Sequence, residues 1–143
     1  MEINNKDLTT TLSGVELDNP VIPASGTFGF GYEFADIYDI NILGSIALKG
    51  TTKEERYGNE LPRIAECKKG LINSIGLQNP GIDKVIKEEL PRTRRFFKKS
   101  LIANISGFSI EEYTHCCELI DKEEQIEIIE LWHLAQILSL QKK

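Results

Sequence analysis

Ser45-Ile46-Ala47-Leu48-Lys49-Gly50-Thr51-Thr52 decides the fold: an almost unbroken apolar run that ends in a lysine and a cluster of small polar residues. Apolar character without alternation suits a strand buried on both faces, as in a parallel sheet. The arrangement recurs along the chain. Val21 to Ser25 runs into Ala24-Ser25-Gly26-Thr27-Phe28-Gly29, Leu101 to Ile105 into Asn104-Ile105-Ser106-Gly107, and Ile126 to Leu131 reads as a fourth strand. Polar residues gathered at successive strand ends are how a β/α barrel assembles a site.

The segments between these strands fit the same plan. Thr9 to Leu12, a Ser13-Gly14 turn and Val15 to Leu17 predict a small hairpin ahead of the first core strand. A short helix is expected around Glu33 to Tyr38. Ile82, Val85, Ile86, Leu90 and Phe97 recur at helical spacing, with Pro91 imposing a bend or a fresh start. Ser109 followed three residues later by Glu112 is a capping box, opening a helix through Tyr113, Cys116 and Leu119-Ile120. Thr51 to Gly81 is too rich in glycine and proline for a crossover helix and reads as an insertion, with strand-like pieces Arg63 to Cys67 and Leu71 to Asn73. Loops of that length inside a domain are usually functional.

Four strand units make about half of a closed barrel, and 143 residues fall short of the roughly 250 that eight units need. A doubly wound sheet fits the strand pattern almost as well. The loop contents separate the two and point to an α/β fold, the N-terminal half of a TIM (β/α)8 barrel with a short N-terminal β-hairpin.

Charge and composition narrow the function classes. With 17 basic and 22 acidic side chains the formal net charge is −5, which argues against nucleic acid as a partner. No stretch reaches 18 consecutive apolar residues, and Met1 to Asp7 lacks the layout of a secretory signal, so no membrane association and a cytoplasmic location are expected. Cys67, Cys116 and Cys117 are too few and too poorly spaced for a disulfide framework, and inert thiols rather than a metal site are expected. Arg92, Arg94, Arg95, Lys98 and Lys99 form a basic patch that suits either surface charge or an anionic partner.

The strand ends carry the chemistry. Ser25-Gly26-Thr27 offers N–H groups and hydroxyls to a flat polar ring or a phosphate, although small residues after a strand also make ordinary turns. Lys49, ending an apolar strand, would aim its ammonium at the barrel mouth to meet negative charge; the plain alternative is a snorkelling surface lysine. Asn73, Gln78 and Asn79 place amides around Gly76, suited to reading alternating donors and acceptors on a ring, and Asn104 repeats the idea at the next strand end.

These clusters, in order, resemble a family. Ala24-Ser25-Gly26-Thr27-Phe28-Gly29-Phe30-Gly31, Leu48-Lys49-Gly50-Thr51-Thr52, Arg56-Tyr57-Gly58-Asn59, Pro62-Arg63, Asn73-Ser74-Ile75-Gly76-Leu77-Gln78-Asn79-Pro80-Gly81 and Asn104-Ile105-Ser106-Gly107 are similar to the N-terminal half of dihydroorotate dehydrogenase, class 1B, the NAD-linked catalytic subunit of pyrimidine biosynthesis. The likeness covers about residues 8 to 131. It implies an FMN-dependent barrel oxidising dihydroorotate to orotate, with electrons leaving through a partner subunit that carries FAD and an iron-sulfur cluster. By the same resemblance Ser25, Lys49, Gly50 and Asn104 are flavin contacts. Lys49, Asn73, Ser74, Ile75, Gly76 and Leu77 are substrate contacts.

The family pattern breaks after Glu130-Leu131. Where the family has Asn-(Ile or Val)-Ser-Cys-Pro-Asn, this chain has Trp132-His133-Leu134-Ala135-Gln136-Ile137. Trp132 stands in place of the flavin-contacting Asn, and Ala135 in place of the Cys base. Alanine has no titratable group to remove a proton. Codons for Cys-Pro-Asn-Ile such as TGC CCA AAT ATT A, read one base later, give Ala-Gln-Ile-Leu, the sequence of Ala135 to Leu138. The expectation is a frameshifted tail over residues 132–143 after a partial barrel over residues 1–131. Inactivity alone and weak or absent FMN binding follow, because the family's later strands hold the phosphate site. The alternatives are one half of a split enzyme, or a non-catalytic flavin- or ligand-binding α/β module.

Overall fold

Ser13 and Gly14 both take positive φ, 50° and 86°, the geometry of a two-residue hairpin turn whose twist matches its strands. They join β1 (Thr10–Leu12) to β2 (Val15–Leu17) in antiparallel register, Thr10 opposite Leu17 and Leu12 opposite Val15. The computed structural model describes residues 8–133. Ala135 and the rest of the expected frameshifted tail beyond His133 lie outside them.

The central sheet is parallel, with β3 (Ile46–Ala47) and β7 (Ile126–His133) on either side of β6 (Leu101–Gly107). Every residue of β6 is buried, the apolar Leu101-Ile102-Ala103 and Ile105 together with the polar Asn104 and Ser106. Ile46 pairs with Leu101, and Asn104 with Glu130. Short hydrogen bonds continue the β3 alignment beyond its ladder, from Leu48 N to Ile102 O and from Thr51 N to Asn104 O, both 2.9 Å. The β7 ladder runs on through Trp132 and His133, opposite Ser106 and Gly107. Backbone pairing therefore extends two residues beyond the point where the sequence leaves the family pattern.

One predicted strand does not form a ladder. Val21 to Ala24 carries no strand pairing, and Ser25 already opens the single-turn helix α1 (Ser25–Phe28). The cause is a shortage of donors: Pro20 and Pro23 have no N–H, and the Val21 N–H is taken by Asn19 Oδ1 at 3.0 Å. A bond from Gly44 N to Val21 O still ties the segment beside β3. Gly44 is required there, since a Cβ would lie 1.8 Å from the Asn19 carbonyl oxygen. The helix expected over Glu33 to Tyr38 is a 3-10 turn, Tyr32–Phe34, followed by further turn bonds.

The long helical stretch after Gly81 survives Pro91 by changing its pitch. α2 (Ile82–Lys84) passes into a π-helical turn over Val85–Glu89 and then into α3 (Leu90–Phe96). A proline removes one donor and crowds the carbonyl four residues back, and the wider turn before it relieves both effects. α4 (Ile110–Ile120) starts at the predicted box: Ser109 Oγ accepts from Glu112 N, and Glu112 Oε2 accepts from Phe108 N, one residue before the expected partner.

The core lies between sheet and helices. Ile46, Ile82, Phe97 and Leu101 are fully buried, with Phe28 stacked on Phe34 at 4.3 Å between centroids. Each such side chain contributes about 1.5–3 kcal/mol of burial. The basic patch is largely consumed in this framework. Arg94 donates to the Gln125 side chain and backbone, Lys99 pairs with Asp18 at 2.7 Å, and Arg92 lies 3.9 Å over the Tyr32 ring.

Candidate active-site cleft

The insertion folds as a hairpin, β4 (Ile64–Cys67) with β5 (Gly70–Asn73), tied back to the body by its flanks. Arg56 and Asn79 exchange both backbone bonds at 2.9 and 3.0 Å, and Asn59 N donates to Ile75 O at 3.0 Å. The Arg63 guanidinium donates to Gln78 Oε1 and to the Tyr57 carbonyl, each at 2.8 Å. These ties bring the segment after β5 over the ends of β3 and β6.

A cleft of about 400 Å³ results, and all the predicted site residues except Ser74 line it. Ser25 comes from the start of α1, Lys49 and Gly50 from the end of β3, and Asn104 from β6. Asn73 comes from the end of β5, and Ile75, Gly76 and Leu77 from the loop after it. Ser74 instead supports that loop: its N–H donates to Arg63 O, and its carbonyl accepts from Asn59 Nδ2.

Each polar group has a defined role in the cleft. Asn104 is 3% exposed, and its Nδ2 donates to Glu130 Oε2 at 2.7 Å and to Ser25 Oγ at 3.3 Å. With both N–H bonds committed, its Oδ1 remains an acceptor. Ser25 Oγ, having accepted, is free to donate. Burial lowers the pKa of Lys49, and among the described residues no carboxylate or carbonyl pairs with its ammonium. An unpaired, partly desolvated cation at a strand end is chemically suited to meet an anionic ligand.

Gly50 forms the floor. A Cβ there would lie 3.1 Å from Leu77 Cδ1 and 3.2 Å from Asn104 Oδ1, so bare backbone is what leaves the space open. Gly76 and Leu77 both take positive φ, 77° and 56°. In Leu77 that conformation is strained, and such strain persists only where surroundings impose it.

Two residues proposed to read a ring do something else. Asn79 is buried and spends its carboxamide on Thr52, Leu77 and Gly81, while Gln78 is held by Arg63. Glu130 was not singled out from sequence, yet it orients Asn104; its placement opposite Asn104 in the β6–β7 register is the signal that sequence pattern alone does not supply. Lys49 also borders a second opening of about 440 Å³ lined by Tyr32, Glu33, Arg56 and Glu89. Tyr32 donates to Glu89 there, and burial followed by that bond pushes its phenol up to about 12.

The residues present fit part of a flavin cradle. A backbone floor, a hydroxyl donor, an amide acceptor and an unpaired ammonium match a flat ring with polar edges and a delocalised negative charge when reduced. Among the described residues no group of three or more His, Cys, Asp or Glu side chains is placed to hold a metal ion. No helix among them is long and apolar enough to cross a membrane.

Fold and cleft together define the N-terminal part of a β/α-barrel enzyme whose site is built from strand ends. The chain belongs to the dihydroorotate dehydrogenase family, whose model matches residues 7–132. It is 51% identical over 124 residues to the catalytic subunit of dihydroorotate dehydrogenase B (NAD(+)) from Bacillus caldolyticus, covering 87% of this chain and 39% of that protein. It is 50% identical over 125 residues to the corresponding subunit from Streptococcus pneumoniae, covering 87% of this chain and 40% of that one. The ligand-free structure of DHODH from Eimeria tenella superposes with a TM-score of 0.68 at 19% identity, over 92% of this chain and 39% of the other. That likeness shows the barrel fold. The chain spans about two fifths of the length of the curated relatives it matches.

Proposed function

We propose that residues 1–131 carry the N-terminal half of an FMN-dependent, NAD-linked dihydroorotate dehydrogenase of the cytoplasm, and that residues 132–143 are a tail foreign to it. The cleft that gathers Lys49, Gly50 and Asn104 beneath Asn73 to Leu77 carries the reading. The end of the family match at residue 132 supports the boundary.

In this reading Ser25, Lys49, Gly50 and Asn104 hold FMN, which when bound supplies the acceptor for oxidation of dihydroorotate to orotate. The Lys49 ammonium attracts the substrate carboxylate and offsets negative charge as it develops. Asn73 and the backbone from Ser74 to Leu77 fix the substrate ring's orientation. Gly50, which has no Cβ to press on Leu77 and Asn104, would leave the cleft floor open to a flat ring. Electrons would then leave to NAD through a partner subunit carrying FAD and an iron-sulfur cluster.

The chain alone is expected to bind FMN weakly, because the resemblance places the phosphate site in later strands, and not to turn over, because Ala135 stands where the family has its base and has no titratable group. The test is dihydroorotate-dependent reduction of added FMN by the 143-residue chain beside a frame-restored, full-length chain. Turnover by the repaired chain and silence from the shorter one are expected. Reduction by the 143-residue chain would overturn the inactive reading, and silence from both would overturn the assigned activity.

A further inference from the structure

The carboxamide of Asn79 is fully used. Its Oδ1 accepts from Thr52 N at 3.1 Å and Gly81 N at 3.0 Å, and its Nδ2 donates to Thr52 Oγ1 at 3.0 Å and Leu77 O at 2.9 Å. The Thr52 hydroxyl can accept because its own hydrogen goes to Glu54 O at 2.7 Å. Both groups are buried, Asn79 at 4% and Thr52 at 3% exposure. Asparagine has two donors and two acceptor sites in one plane, and each meets a partner here.

These four bonds join two parts of the cleft wall that have no ladder between them. Thr52 continues the β3 segment that ends in Lys49 and Gly50, whereas Leu77 belongs to the loop after β5. Leu77 sits at φ 56°, a conformation its side chain disfavours, and its carbonyl is the one Asn79 grips. Its Cδ1 in turn stands against the Gly50 floor.

We propose that Asn79 is a positioning residue which, acting through Leu77, holds the loop over the cleft in the shape that admits the substrate. The substrate part of this inference rests on the proposed function. Holding Leu77 in the left-handed region keeps the backbone from Gly76 to Leu77 facing the cleft. Release would let φ return to negative values and swing that backbone away.

Asn79→Asp is the informative variant. It keeps the acceptor for Thr52 N and Gly81 N but turns the donating nitrogen into an oxygen facing the Leu77 carbonyl and the Thr52 hydroxyl. The signature is the intraresidue amide-to-Hα nuclear Overhauser effect of Leu77, strong only at positive φ. In the ligand-free 143-residue chain it should be strong, and in N79D weak, with the resonances of β6 and β7 unshifted. A strong effect retained in folded N79D overturns the positioning role.

Should N79D fail to fold, Thr52→Val decides the matter. Valine removes one acceptor from Nδ2 and leaves Asn79 in place, so the Leu77 effect should weaken, and an unchanged effect overturns the proposal. Thr52→Ser, which keeps the hydroxyl, should restore it. Orotate titration of the frame-restored chain, with and without N79D, separates the two readings. An affinity at least tenfold weaker in N79D supports the link to substrate, and equal affinity with the Leu77 signature lost overturns that link. If the frame-restored wild-type chain shows no orotate binding at any attainable concentration, the assigned substrate falls while the Leu77 signature still judges Asn79.

Discussion

Asn104 and Glu130 face each other across the β6–β7 ladder, and the amide nitrogen of the first donates to the carboxylate of the second at 2.7 Å. A carboxylate only accepts, so it fixes which end of the Asn104 amide turns to the cleft. Glu130→Leu should free the amide to rotate and weaken FMN binding about tenfold, the order expected for losing a hydrogen bond to a charged group. Glu130→Gln should retain most of the affinity, because its amide oxygen can take over as acceptor. Fluorescence titration with FMN checks both, in the frame-restored chain where the shorter chain binds too weakly. Equal affinities for wild type and the leucine variant would show that Asn104 is oriented by something else.

Gly50 leaves no room for a methyl group on its cleft side. Gly50→Ala would press against Leu77 Cδ1 and Asn104 Oδ1, contacts of 3.1 and 3.2 Å that have to widen by a few tenths of an ångström. The expected cost to stability is about 1–3 kcal/mol, typical of overpacking. Loss of orotate and FMN affinity should be the larger effect, since the floor itself moves. Urea unfolding alongside ligand titration measures both, and a variant that binds normally would mean the ligands do not approach Gly50.

The contrast between Asn104 and Asn79 shows what the sequence could reveal. Buried parallel strands were legible because their apolar runs lack alternation, and the capping box at Ser109 and the Ser13-Gly14 turn have local signatures. Most of the cleft was legible too, because it is built where strands end. Val21 to Ser25 misled because a strand also needs donors, which Pro20, Pro23 and Asn19 withdraw. Asn79 and Gln78 looked identical in type to Asn73 and Asn104. Only the fold decides which amides face the cleft and which are spent holding its walls.

The cysteines should differ sharply in reactivity. Cys116 has no exposed surface, and burial first, then neighbouring Cys117, push its thiol up to about 11. Cys67 is exposed at the turn of the β4–β5 hairpin. Iodoacetamide at pH 8 should therefore alkylate Cys67 and leave Cys116 untouched until the chain unfolds, because the thiolate is the nucleophile. Peptide mass spectrometry over a time course reads the order. Rapid labelling of Cys116 in the folded chain would contradict the packing of α4 on the sheet.

Lys49 sets stability against function. Burial disfavours its charged form, so its pKa falls below the ordinary 10.5 of an unfolded chain. Between the lowered value and 10.5 the unfolded chain holds a proton that the folded chain has released, so this group makes stability rise with pH across that window. Below the window the cost of burying the ammonium is fully present. Lys49→Met keeps the stem and removes the charge, so Tm at pH 7 should increase and the alkaline rise in stability should flatten. Under the proposed function orotate affinity should fall at least tenfold in the same variant, because Lys49 is the one cationic side chain lining this cleft among the described residues. A methionine variant that is less stable than wild type at pH 7 would mean that Lys49 has a stabilising partner in the folded chain and is not held in reserve for a ligand.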